Sequence, residues 1–220
     1  MHASWSFLEI QKFLPFLLKG AWLTCQLSVL SFALSLGAGL VLAMLRRSRS
    51  ALVRWPVAFF VDVVRGTPIL VLLFFVYYAL PDFHIDLGEF MSGIVGLGVA
   101  YSVYTSEVYR GGFEAVDRGQ VEAAQALGFS RRQAFFVVVL PQALRATLPA
   151  LTNDFIALFK DSSLVSAIAM SELTKSAQIL VTATHRGVEV YTLCAALYLA
   201  MSLPLAWLAH RTARRLGVHV

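Results

Sequence analysis

The chain has 220 residues, of which 58% are hydrophobic and only 14% are charged. A soluble domain usually carries about 25% charged residues, so this composition excludes a soluble globular protein and indicates an integral membrane protein. The net charge of +5 is spread over short basic clusters between apolar segments, which is typical of cytoplasmic membrane loops and argues against nucleic-acid binding. Cys25 and Cys194 lie inside apolar segments, which predicts buried thiols and neither a disulfide nor a metal site.

Four apolar segments stand out along the chain. Residues 20–45 and 190–209 contain no charged residue, and each provides the roughly 20 residues that a membrane crossing requires. Further spans are predicted at residues 56–80 and 89–109. Between residues 133 and 189 the hydropathy is weaker, because charged side chains interrupt it, among them Arg145, Asp154, Lys160 and Asp161.

The distribution of basic residues predicts the topology. Eleven of the 18 Lys and Arg residues fall in the loop after the first span, in the polar loop 110–135 and in the tail, whereas four fall in the other extramembrane segments. The positive-inside rule therefore places the loop after the first span, the polar loop 110–135 and the tail in the cytoplasm. The tail can return to the cytoplasm only if the chain crosses the membrane once between residues 133 and 189. The sequence thus predicts an all-α integral membrane protein, one domain over residues 1–220 with five transmembrane helices, the N-terminus outside and the C-terminus cytoplasmic.

Residues 1–19 precede the first predicted span. Their aromatic and aliphatic side chains, among them Trp5 and Phe7, predict a helix that lies in the outer membrane interface. Because no basic region precedes an apolar core, this segment does not resemble a cleaved signal peptide.

The polar loop 110–135 contains a short helix with a marked start and end. Asp117 is predicted to cap its N-terminus, with Gln120 three residues later as a capping-box partner. Gly128 suits the left-handed conformation that ends a helix, and Ser130 with Gln133 repeats the capping pattern for the next helix. A helix of about ten residues is marginal alone in water, so it must pack either in the groove of a partner or on its own bundle.

The same loop carries a family resemblance. The pattern Glu122-Ala123-Ala124, then Gly128, Val138 and Leu140-Pro141 resembles the EAA loop of ABC-importer permeases, with Val138 in place of the usual Ile. Other motifs, in order from about residue 14 to residue 215, resemble the polar amino acid branch of that family, the histidine, glutamine, glutamate or arginine type. They are Gly20 with Thr24, Arg65-Gly66-Thr67-Pro68, Glu107-Val108-Tyr109-Arg110-Gly111, Gly119-Gln120-Val121-Glu122 and Lys160-Asp161-Ser162-Ser163-Leu164.

The resemblance implies a permease subunit that imports a polar amino acid across the bacterial cytoplasmic membrane. Its short loop helix would be the coupling helix, which docks in a cleft of an ABC ATPase subunit. The residues expected at that contact are Arg118, Gln120, Glu122, Ala123, Ala124, Leu127 and Gly128. Further partners implied are a second permease subunit, identical or related, and an extracytoplasmic amino-acid-binding protein.

The chain is not expected to be an enzyme. A phosphate-binding loop needs a lysine directly after a glycine, and none of the four lysines follows one. We therefore expect this chain to bind no cofactor, and ATP with Mg²⁺ to be held and hydrolysed by the partner ATPase.

Charged residues inside the weakest span predict a substrate pathway. Each costs about 2.5–3.5 kcal/mol at mid-membrane, so they must face the bundle interior, pair or lie near an interface. A cavity for the ammonium and carboxylate groups of an amino acid is one interpretation, with eight candidate residues: Thr67, Glu107, Asn153, Asp154, Lys160, Asp161, Ser162 and Ser163. The alternative is structural, with Lys160 paired to Asp161 and Glu107 paired to Arg110 or Arg145.

Two other functions are consistent with a helical membrane protein. An ion-coupled secondary amino acid transporter would use the carboxylates as ion sites, and internal inverted repeats would favour it, but none is evident. A membrane scaffold would use the loop helix only to recruit a partner.

Overall fold

The computed structural model describes residues 7–215, with the side chains of residues 12–208 and of Arg211. Within that range the secondary structure is helical and no strand occurs, as predicted. The α-helices are α1 Phe7–Arg46, α2 Ala51–Gly66, α3 Ile69–Phe74, α4 Gly88–Ala115, α5 Arg118–Ala126, α6 Arg131–Ala134, α7 Leu140–Asp161, α8 Leu173–Thr184 and α9 Gly187–Arg215. Two π-helical segments, Phe75–Ala79 and Phe135–Val139, and two 3₁₀ segments, Leu80–Phe83 and Ser162–Ile168, connect some of them.

Three helical segments in the described part of the chain are long and apolar enough to cross a membrane. They are Lys12–Arg46, Arg131–Ile168 and Gly187–Leu208. A fourth arises if Ala51–Gly66 and Ile69–Phe83 count as one bent span. A multi-span helical membrane protein is therefore confirmed, while five spans and their orientation stay a prediction.

The predicted second span, residues 56–80, contains a sharp bend. Its helix begins earlier, at Ala51, and the chain turns by 107° between Gly66 and Ile69. Pro68 has no backbone N–H and pushes the residue before it into extended conformation, and Thr67 has φ −99° and ψ 132°. Hydropathy continues across this turn, so it conceals the change of direction.

Helix α4, the predicted third span, lies at the centre of the bundle and packs along α1 and α7. It is not among the three segments that are apolar enough to cross a membrane, because its Ser, Thr, Tyr and Gly residues lower its hydropathy. Many of these residues are buried against other helices. Gly39 of α1 shows how close the contact is, since a Cβ there would lie 2.0 Å from Thr105 Oγ1. The Thr105 hydroxyl donates to the Ser35 carbonyl oxygen across the interface, at 2.9 Å. Small residues therefore let α1 and α4 approach closely.

Two further elements differ from expectation. Helix α1 runs without interruption from Phe7 through Gly20, so the N-terminal segment and the first span form one helix of 40 residues. At 1.5 Å per residue it is about 60 Å long, roughly twice the hydrocarbon thickness. Residues 1–6 lie outside the described part of the chain. The second difference is α8, a short helix that follows the predicted fourth crossing and was not anticipated.

Candidate functional site

The polar loop 110–135, the predicted coupling loop, is held by local caps at both ends of α5. Asp117 Oδ1 accepts a hydrogen bond from the Gly119 N–H at 2.6 Å, which confirms the predicted N-cap. Gly128 has φ +85°, and the Phe129 N–H donates to the Ala124 carbonyl oxygen at 3.1 Å, the bond pattern of a Schellman ending. The chain enters and leaves α5 in a defined direction as a result.

The second predicted capping box, in which Ser130 caps α6 and Gln133 bonds back to it, is present. The first is not. Gln120 Oε1 accepts from Gln142 Nε2 at 3.5 Å instead of bonding back to Asp117. Gln120 therefore ties α5 to α7 and does not cap its own helix.

Helix α5 has an inner face that packs on its own bundle and an outer face that is exposed and could meet a partner. Ala124 is only 4% exposed, and Val121 packs on a core cluster that includes Phe113. In this chain Ala124 therefore packs on the bundle, and its contact with an ATPase stays a prediction. The outer face carries exposed residues on which the docking prediction now depends: Arg118, Glu122, Ala123 and Leu127.

Glu107, a predicted pathway residue, is part of an ion-pair network at the end of α4. Arg110 Nε donates to Glu107 Oε2 at 2.7 Å and its Nη1 donates to Glu114 at 2.8 Å. Arg46, at the end of α1, also pairs with Glu107. The predicted ion pair of Glu107 with Arg110 is therefore present, whereas no ion pair of Glu107 with Arg145 occurs among the described residues. With two arginines on its carboxylate, Glu107 is better placed to join α1 to α4 than to hold a substrate.

Two aspartates of α7 have different surroundings. Asp161 accepts a hydrogen bond from the Tyr101 hydroxyl at 2.7 Å, which joins α7 to α4. Asp154 Oδ2 is buried without a hydrogen-bond partner. A buried carboxylate oxygen without a partner is costly. Asp154 is therefore a candidate for a contact with a group outside this chain, such as the predicted substrate.

The remaining pathway candidates are arranged differently. Asn153 and Lys160 lie on the exposed side of α7, and the proposed Lys160–Asp161 ion pair does not occur among the described residues. Ser162 is buried and donates to the Phe159 carbonyl oxygen at 2.7 Å. The other two, Ser163 and Thr67, are partly buried, and Thr67 donates to the Val63 carbonyl oxygen at the bend after α2.

Glu172, which the sequence analysis missed, has no exposed surface. It caps α8 by accepting from the backbone N–H groups of Thr174 and Lys175 at 2.9 and 2.7 Å. The Tyr198 hydroxyl of α9 donates to it at 2.9 Å, and the Thr24 hydroxyl of α1 lies 3.3 Å away. One carboxylate thereby joins three helices.

A signal for this junction was present in the motif of Gly20 with Thr24. A Cβ on Gly20 would lie 2.5 Å from Ser176 Oγ and 2.9 Å from Leu173 Cα. Only glycine lets α1 approach α8 this closely, and Thr24, one turn later, meets Glu172. The motif predicts a helix contact, but it does not reveal the partner 148 residues away.

Comparison with known proteins identifies the family of this chain. Residues 35–218 match the family described as binding-protein-dependent transport system inner membrane component. The chain is 38% identical over 190 residues to a probable amino-acid ABC transporter permease protein of Sinorhizobium fredii, with 86% of this chain and 82% of the relative covered. It is 35% identical to the glutamine transport system permease protein of Escherichia coli strain K12, over 99% of this chain and all of the relative.

Among solved structures, the fold resembles a crystal structure of an amino acid ABC transporter with histidines. The TM-score is 0.90 and the identity 35%, with 98% of this chain and 100% of that chain covered. The family match covers most of the chain, and the similarity to the Escherichia coli relative runs nearly end to end. This chain therefore belongs to the family of binding-protein-dependent transport system inner membrane components, the permease subunits of ABC importers.

Proposed function

We propose that this chain moves a polar amino acid across the bacterial cytoplasmic membrane, as the permease subunit of an ATP-driven importer. The observation that carries the proposal is α5, a helix capped at both ends whose outer face is free while its inner face is anchored. Leu127 at its end is 79% exposed and offers an apolar anchor for the groove of a partner. The names of the relatives support an amino acid as the substrate.

The proposed assembly contains partners that this chain cannot replace. An ABC ATPase subunit binds ATP and Mg²⁺ and contacts the outer face of α5. A second permease subunit, identical or related, completes the pathway, and an extracytoplasmic binding protein delivers the amino acid. Five spans with the N-terminus outside put the loop 110–135 on the ATPase side, and the basic residues of that loop support this orientation.

The proposed pathway runs along α7. Asn153 and Lys160 are exposed in the single chain, and a charged or amide side chain facing lipid is costly. A cavity shared with the second permease subunit removes that cost. Within it, Asp154 and Asp161 would face the ammonium group of the amino acid, and Lys160 with Ser163 would face its carboxylate. Thr67, Glu107 and Ser162 would support the walls.

Coupling through α5 can be tested with Leu127→Ser. Because the exposed leucine would lose its apolar contact with the ATPase, we expect the amount of ATPase subunit that copurifies to fall about tenfold, equivalent to about 1.4 kcal/mol. ATP hydrolysis stimulated by amino acid and binding protein should fall in parallel.

The matched control is Leu203→Ser, because Leu203 is 61% exposed but belongs to α9. This variant should keep the ATPase subunit. Normal copurification of the ATPase with Leu127→Ser, or equal losses in the two variants, would remove α5 as the docking element.

A further inference from the structure

A second charged site lies at the ends of α1 and α4, beside the first turns of α2. It is a cavity of about 350 Å³, within the size range of small-ligand pockets. Its charged and aromatic walls are Arg46, Arg47, Arg54, Trp55, Arg110 and Glu114. None of the transport steps described above uses it.

The cavity carries an excess of positive charge. Arg46 and Arg110 are balanced by Glu107 and Glu114 through the ion pairs at the end of α4. Arg47 and Arg54 have no ion pair within the described part of the chain, and Arg54 is exposed. The site therefore presents two uncompensated guanidinium groups, which favours an anion.

Arg47 is oriented although no carboxylate binds it. Its guanidinium carbon lies 5.1 Å from the ring centre of Phe113 and 6.0 Å from that of Phe135. Stacking on aromatic rings uses the face of the guanidinium and leaves the N–H donors at its edge available. These donors suit a phosphate group, which arginine binds with paired hydrogen bonds.

The surroundings indicate where this phosphate comes from. Leu52, Trp55 and Phe59 of α2 are spaced for one helical face, and they are 88%, 70% and 69% exposed. An anion in the cavity would therefore lie beside an apolar surface that no other described part of the chain covers. A phospholipid satisfies both surfaces, with acyl chains along α2 and Trp55 at the level of the headgroup.

We propose that this cavity binds the headgroup phosphate of an anionic phospholipid of the cytoplasmic leaflet. Basic pockets between helices on the cytoplasmic side suit such headgroups. The lipid would join the connection between α1 and α2 to the end of α4. Phe113 and Phe135, on which Arg47 stacks, belong to the core cluster on which α5 rests, so the lipid would also support the coupling loop.

The test uses the full chain with its ATPase subunit, in nanodiscs of equal parts phosphatidylcholine and phosphatidylglycerol. Native mass spectrometry counts the lipids that remain bound after release from the disc. The double variant Arg47→Gln/Arg54→Gln should retain about tenfold less phosphatidylglycerol, as expected for the loss of two basic contacts. Its retention of phosphatidylcholine should not change.

Arg49→Gln is the matched control, because Arg49 is exposed on the same connection but does not line the cavity. It should retain phosphatidylglycerol like the unmodified chain. Equal retention by the double variant, or an equal loss in the control, would overturn the proposal. Displacement of the lipid by inorganic phosphate would identify a soluble anion site instead, and loss of the ATPase subunit without loss of lipid would identify a protein contact.

Discussion

Two carboxylates of the same bundle, the fully buried Glu172 and the partly buried Asp154, differ in their partners. Glu172 is fully buried, and three hydrogen-bond donors lie within 2.9 Å of it. Asp154 Oδ2 is buried without any donor. Burial of a carboxylate is costly unless hydrogen bonds compensate it. The fold thus uses the charge of Glu172, whereas no hydrogen bond among the described residues reaches the buried oxygen of Asp154.

The number of hydrogen-bond partners distinguishes Glu172, a structural carboxylate, from Asp154, a functional candidate. The residue type alone does not distinguish them. Both are acidic residues within the predicted fourth crossing region, and their hydropathy is similar. Glu172 has partners on three helices, so its loss should weaken the fold. Asp154 loses no hydrogen bond that the described residues make, so its loss should affect transport and not stability.

The largest effect is expected for Glu172→Ala. It leaves the N–H groups of Thr174 and Lys175 unpaired, removes the cap of α8 and opens a cavity, so we expect a loss of about 2–4 kcal/mol in the free energy of unfolding. Thermal unfolding in detergent, followed by circular dichroism, measures it. The control is Glu89→Ala, because Glu89 is an exposed acidic residue in the first turn of α4. Similar unfolding temperatures for the two variants would contradict the assigned role of Glu172.

A smaller effect on the same junction is expected for Gly20→Ala. The added methyl group would overlap Ser176 Oγ and approach the Leu173 backbone, which forces α1 and α8 apart at a cost of about 1–3 kcal/mol. Gly37→Ala is the matched control on the same helix, since a Cβ there meets no atom within 4 Å. This control should be neutral or slightly stabilising. If the two variants unfold at the same temperature, α1 and α8 are not in close contact.

The smallest effect on stability is expected for Asp154→Asn. The neutral amide is easier to bury and no hydrogen bond is lost, so the unfolding temperature should stay the same or rise slightly. Amino acid uptake by the reconstituted importer should nevertheless fall about tenfold or more, while copurification of the ATPase stays normal. Asp62→Asn, at an exposed position of α2, should change neither property. Unchanged uptake kinetics for Asp154→Asn would remove this residue from the pathway.

The coupling loop could be predicted from sequence because its interactions are local. Asp117 and Ser130 each cap a helix within three residues, and Gly128 determines its own backbone conformation. Such patterns are complete within a short window. Gln120 was the exception, because its side chain contacts Gln142 on another helix.

The buried polar contacts could not be predicted because their partners are distant along the chain. Glu172 meets Thr24 across 148 residues, and Asp161 meets Tyr101 across 60. Asp154 and Asp161 are seven residues apart and therefore share one face of α7. This spacing does not distinguish Asp161, which accepts a hydrogen bond from Tyr101, from Asp154, whose buried Oδ2 has no partner among the described residues. The bend of 107° beside Pro68 could not be predicted from hydropathy, because the apolar residues continue across it.

The most direct test of the account is uptake into proteoliposomes that contain this chain with its ATPase subunit. The binding protein is added outside, ATP is enclosed, and labelled glutamine, glutamate, histidine and arginine are supplied in turn. The account predicts uptake of at least one of these amino acids that requires both ATP and the binding protein. Uptake driven by a sodium or proton gradient without ATP, or no uptake of any of them with ATP, would contradict it.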